Sequence, residues 1–196
     1  TTTTGANNIA IGQFSLCCNT TGSQNVAVGS CALYANSIGN NNVAVGFTAL
    51  RNNSSGAHNV AMGRGALCQN TSGYLNVGIG SYGLYSNTFG GCNVALGACA
   101  LYANTTGIEN VAVGYTALQG NISGTSNTAI GTYAMCCTDQ GSYNTAVGHR
   151  ALQNTTSGCS NTAVGQGSLS SLTGGYGNIG LGYAALTMNK TGGQNV

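Results

Sequence analysis

Proline is absent from this chain of 196 residues, and formal charge is nearly so. With no proline and no Asn-Gly dipeptide, nothing signals a succession of tight hairpins. Four Lys or Arg and two Asp or Glu make up the whole formal charge. Arg51, Arg64, Arg150 and Lys190 are scattered along the sequence. That excludes the clustered cations that nucleic acid demands and the electrostatic attachment of a basic surface to a membrane. No apolar run approaches the length of a membrane span, and no signal peptide is read. The only carboxylates, Glu109 and Asp139, stand too far apart for a paired-carboxylate mechanism, which needs the two groups a few ångströms from each other. His58 and His149 are likewise separated. No catalytic residue, cofactor or metal site is expected. Asn, Ser, Thr and Gly supply the polarity instead, a neutral surface that suits an extracellular, cell-surface or virion-surface location.

What the chain has in abundance is period. An asparagine recurs every 17 residues without insertion or deletion, at Asn8, Asn25, Asn42, Asn59, Asn76, Asn93, Asn110, Asn127, Asn144, Asn161 and Asn178, and again at Asn195. Eleven complete repeats fill residues 8–194, after a lead-in of residues 1–7; residues 195–196 begin a further repeat. So strict a period is the signature of stacked repeats, each unit burying itself against its neighbours. It makes a structural or binding rod, rather than an enzyme, the expectation. Neither end carries the polar cap that an open solenoid edge needs, so a segment of a longer fibre, or end-to-end stacking, is expected.

The unit reads N-V-A-V-G-x-x-A-L-x-x-N-T-T-G-x-x, here numbered as columns 1–17. Columns 5 and 15 are Gly in every repeat, which marks backbone that needs positive φ or close approach. Each unit should therefore turn twice, around two short extended segments: columns 2–4, and a second centred on the Leu of column 9. Two invariant glycines in 17 residues leave no helix of useful length. The expectation is an all-β fold, a β-solenoid or β-roll of eleven 17-residue coils with equivalent residues stacked in parallel ladders. At a strand spacing of roughly 4.8 Å such a rod is about 50 Å long.

Column 1 then becomes an asparagine ladder whose amides bond up and down the stack, and columns 4 and 9 become aliphatic ladders that fill the coil. Column 3 is only Ala or Gly. It is expected to pack on a symmetry mate in a three-fold bundle; the alternative puts column 3 in a narrow lumen and makes columns 2 and 4 the interface. Column 12 is a second, looser Asn ladder, beginning at Asn19 and replaced at Thr138, Thr155 and Leu172. Asn-x-Ser/Thr sequons start at Asn19, Asn52, Asn53, Asn70, Asn104, Asn121, Asn154 and Asn189. Most fall on what reads as an exposed turn, where glycans could attach; good turn chemistry explains the same motif.

Nine cysteines are present, and no two in neighbouring coils share a column. A regular ladder of disulfides is therefore not expected; the thiols read as small apolar residues, with crosslinks between chains as the alternative. Tyr34, Tyr85 and Tyr102 occupy column 10 and are candidate ligand contacts, since Tyr on a rigid neutral rod offers a sugar-stacking surface. Packing at an interface is the competing role.

The block Asn42-Val43-Ala44-Val45-Gly46-Phe47-Thr48-Ala49-Leu50 resembles two groups: the head repeats of trimeric autotransporter adhesins, and the similar Asn/Gly/Thr-rich repeats of phage and large-virus tail fibres and spikes. The likeness runs from Asn8 onward. It implies a β-roll that trimerises. The coil is longer than that of autotransporter heads, the added residues falling in the Asn-Thr-Thr-Gly turn. Hexapeptide acyltransferases are excluded, because 17 is not a multiple of six. The expected function is a structural fibre whose partner is itself, as a homotrimer or an end-to-end polymer. The alternative is an adhesin or receptor-binding module for host-surface glycans. Neither reading involves nucleic acid or membrane insertion.

Overall fold

In a computed structural model that describes residues 4–196, the chain is a β-solenoid with one coil per repeat. Residues 1–3 of the expected lead-in lie outside the described residues. Each coil contributes one strand of three residues from columns 2–4, starting with β1 (Ile9–Ile11), β2 (Val26–Val28) and β3 (Val43–Val45) and ending with β11 (Ile179–Leu181). The eleven strands form a single parallel sheet in sequence order. Like columns pair: Val26 with Val43, Ala27 with Ala44, Val28 with Val45.

The strand stops after three residues because column 5 leaves β space. Gly46 has φ +136°, and a Cβ there would lie 2.6 Å from the carbonyl oxygen of Gly63 in the next coil. The chain then does not extend again. Columns 7 and 9 are both left-handed, as at Thr48 (φ 55°) and Leu50 (φ 49°), so the second extended segment expected around column 9 is a run of turns. A left-handed L-residue costs roughly 1–2 kcal/mol. Complete burial of the column 9 leucine, worth about 1.5–3 kcal/mol, offsets it. Column 15 is glycine for the other reason: its φ is not positive, but a Cβ on Gly56 would sit 2.6 Å from Asn70 Nδ2.

The interior is thin. In the layer of β3, the buried side chains are those of Asn42, Ala44, Ala49, Leu50 and Asn53. Column 3 therefore lines the lumen and cannot pack on a symmetry mate. Space requires this: where column 3 is Gly78, an added Cβ already meets Leu67 Cγ at 3.3 Å. Column 4 does not fill the coil either. With column 2 it points outward, and along the middle of the rod Met62 is 42% and Ile130 40% exposed.

Nearly half of that interior is amide. Asn42 donates from its backbone N to Asn25 Oδ1 at 3.0 Å and from Nδ2 to the same oxygen at 3.1 Å. Its Nδ2 also donates to Gly56 O across the coil at 2.8 Å. Asn53, in column 12, reaches the same carbonyl at 2.9 Å and donates to Asn36 Oδ1 at 2.7 Å. The two ladders thus converge on the column 15 carbonyl, which fixes where that glycine must be.

Two substitutions separate these contributions. Leu101→Ala, at a fully buried position, should lower stability by about 2–5 kcal/mol, read as a shifted urea midpoint. Asn76→Asp sets a carboxylate against Gly90 O and Asn59 Oδ1, which now accept bonds from the Asn76 amide. Burial among acceptors raises that carboxyl's pKa, so the variant should be most stable in acid and lose stability as pH rises, whereas Leu101→Ala shows no such slope.

Candidate functional site

Columns 6, 7 and 10 look unrelated in sequence, but the left-handed residues at columns 7 and 9 fold them onto one face. Ring contacts demonstrate the continuity. Phe14 (column 7) meets Tyr34 (column 10) edge-on at 6.5 Å, and Tyr82 (column 7) meets Tyr85 (column 10) at 5.6 Å. Tyr85 and Tyr102 stack nearly parallel at 5.2 Å, one coil apart. Tyr115 (column 6) and Tyr133 (column 7) cross at 5.6 Å. Of the candidate ligand contacts, Tyr85 and Tyr102 are therefore brought together, while Tyr34 lies three coils away from Tyr85. All three rings are half-buried.

The same face gathers the arginines, which sequence position alone left scattered. The Arg51 guanidinium lies 5.8 Å from the Tyr34 ring centre, Arg64 lies 5.6 Å from that of Tyr82, and Arg150 lies 5.8 Å from that of Tyr133. Each pairing is a cation held over or beside an aromatic ring, worth roughly 0.5–1 kcal/mol at an exposed site. The signal was present in the residue types of columns 6, 7 and 10. It was hidden because columns three and four apart share a face on a helix, which two glycines per repeat exclude, and a strand's period of two does not join all three. Both carboxylates lie elsewhere, Glu109 in column 17 and Asp139 in column 13. Exposed His58 also lies off this face, whereas exposed His149 is on it, edge-on to Tyr133 at 6.3 Å. Among the described residues no three His, Cys, Asp or Glu side chains cluster as a metal site requires.

The asparagines of column 1 are where the ladder needs them: all eleven from Asn8 to Asn178 form inter-coil bonds, and those from Asn25 onward are fully buried. Column 12 corrects the reading of the sequons. Asn53, Asn70, Asn104 and Asn121 are fully buried, and each Nδ2 donates to the column 15 carbonyl and to the preceding Asn. A glycan on that nitrogen would displace the ladder. Asn19 and Asn189 are half-buried at the ends of the same column, and Asn52, in column 11, is half-buried too. Only Asn154, also in column 11, is exposed.

All nine cysteine sulfurs are unpaired within the chain. Burial pushes the Cys136 thiol up to about 11, with the adjoining Cys137 adding to it. Their sulfurs are 3.4 Å apart. Burial also raises Cys68.

Two outcomes follow from these placements. In a glycosylating host, glycan should be found by peptide mass mapping at Asn154 and not at Asn53, Asn70, Asn104 or Asn121 of the folded rod. In alkylation kinetics, Cys136 should react more slowly than exposed Cys18 near neutral pH. Its rate should keep climbing as the pH approaches about 11, because only the thiolate reacts.

Set against known proteins, the chain matches no family model, no curated protein and no solved structure.

Proposed function

We propose that this chain is a structural rod that assembles with copies of itself through the outer face of its sheet, as part of an extracellular, cell-surface or virion-surface fibre. The observation that carries this reading is the double ladder of columns 2 and 4. Val, Ile, Leu and Met project outward there on every coil, joined by Thr only at Thr128, Thr145 and Thr162. Purely parallel sheets are almost always covered on both faces. Here the inner face is covered by Leu and Ala, and the outer face, half-exposed along the rod, carries no second layer among the described residues. Two columns about 7 Å apart, about 10 Å across with their side chains, along about 50 Å of rod make a strip on the order of 500 Å². Contiguous apolar surface of that extent is at the upper end of what a monomer exposes, and three such strips closing on one another bury about 1,500 Å² together, the size of a specific assembly.

A face only two columns wide suits a three-fold bundle. Column 2 of one chain meets column 4 of the next, and the ring closes after three copies. A near-neutral surface with four Lys or Arg in 196 residues offers few sites to trypsin-like proteases, which supports an exposed location. No catalysis is proposed. A second reading, an adhesive rod, is favoured by the stacked Tyr85 and Tyr102 and the arginines beside them, since weak contacts repeated along a rigid rod add up through multivalency.

Light scattering tests the assembly. The native chain should give three times its 19.4 kDa mass. Val77→Lys with Val94→Lys, which puts charge on two successive rungs of column 2, should return it to monomer. Ser55→Lys, on the Thr-rich turn, should leave the mass unchanged. A native chain that is monomeric at all concentrations overturns the proposal.

A further inference from the structure

On the aromatic face, the ladder of column 7 has a missing tooth. Arg150, Gly167 and Ala184 succeed one another there. An added Cβ on Gly167 would meet nothing within 4 Å. The gap opens a cleft of about 250 Å³ bordered by His149, Arg150, Gln153, Gln166, Ser170 and Tyr183. That is smaller than a drug-sized pocket and of the order of one sugar ring. Its lining has a definite chemistry. Arg150 offers a planar fork of five donors, and among the described residues no carboxylate pairs with it. Two carboxamides and the hydroxyls of Ser170 and Thr187 offer both donors and acceptors. Tyr183 presents a ring at the edge.

We infer that this cleft binds a carboxylate-bearing pyranose, a sialic or uronic acid unit of a glycan. The inference rests on the adhesive reading of the rod. Each part of the lining has a counterpart on such a sugar. The guanidinium takes the carboxylate in a bidentate pair, a geometry that a point-charge ammonium does not reproduce. Gln153, Gln166 and Ser170 exchange hydrogen bonds with ring hydroxyls, which are donors and acceptors at once. The Tyr183 ring covers the apolar C–H side of the pyranose. A neutral sugar leaves the guanidinium without its anion. A simple anion leaves the aromatic ring and the carboxamides unused. Both carboxylates of the protein lie off this face, so no internal anion competes.

The test titrates the native assembled chain with sialyllactose, with a glucuronate-containing disaccharide and with lactose, followed by calorimetry or ligand-observed NMR. Saturable binding of at least one acidic sugar is expected, with lactose about ten-fold weaker or more. Which acidic sugar binds identifies the source of the carboxylate. Arg150→Gln should erase the preference for the acidic sugar. Gln166→Glu, an exposed position that brings a like charge to the cleft, should weaken acidic-sugar binding about ten-fold while leaving the Arg in place. Arg64→Gln, five coils away on the same face, should change nothing. Far-UV circular dichroism of each variant establishes that the coil is intact. No saturable binding of either acidic sugar, equal binding of lactose, or an unchanged preference in Arg150→Gln overturns the inference. Light scattering on the same samples reads self-assembly separately, so loss of one property does not mimic loss of the other.

Discussion

The asparagine amide of column 1 is the constraint around which the coil is organised. A 17-residue loop encloses room for one leucine and two alanines, too little for a conventional apolar core. The remaining interior is filled by side chains that bury polar atoms. An amide out of water and without partners costs free energy on the order of 1–3 kcal/mol. Here it has them all. Asn59 Nδ2 donates to Asn42 Oδ1 and to Gly73 O, and its Oδ1 accepts from both the backbone N and the Nδ2 of Asn76. The bonds along the rod join layer to layer; the bond across the coil closes each layer on itself. One inserted residue would displace the pair of amides that spans it, and every coil boundary is spanned by such a pair; this gives a physical reason for a period without exceptions.

Once columns 1, 3, 5, 8, 9, 12 and 15 are committed to the interior and its turns, the others are released. They fall into separate outer faces. Columns 2 and 4 form a flat aliphatic strip on a parallel sheet. Columns 6, 7 and 10 form a band of rings and guanidinium groups on the turns. The backbone beneath each is the same in every coil, so a face can change its chemistry rung by rung without a change of fold. The gap at Gly167 is one such change.

The period, the parallel stacking and the buried leucine ladder were legible in the sequence, because each rests on a residue type repeated at a fixed distance. Alanine in column 3 was not decisive, since smallness fits a crowded lumen and a close interface equally well. The decision belongs to the leucine of column 9, which turns inward from a left-handed backbone and takes the space. That conformation has no sequence signature: Leu67 at φ 50° is not a residue type that announces it. The same turns hid the shared face of Arg64, Tyr82 and Tyr85, and made the column 12 sequons look exposed. Asn70 carries the motif of a surface turn, yet its amide is spent inside the coil.

The second ladder is not continuous, and the rod is therefore not a uniform beam. Asn19 through Asn121 bond in unbroken succession along column 12. At Thr138 the succession ends, leaving Asn121 Oδ1 and Thr138 Oγ1 buried without partners. Beyond it Thr155 turns to the backbone, donating to Leu172 O. On one side of this joint two amide cables run along the axis; on the other only the cable of column 1 continues. Beside the backbone bonds that join every coil, a bending or pulling load is shared by both amide cables up to the seventh coil and by one thereafter. The junction between the coils of Asn121 and Thr138 is where the side-chain reinforcement of the rod steps down, with two unpartnered polar atoms at the step.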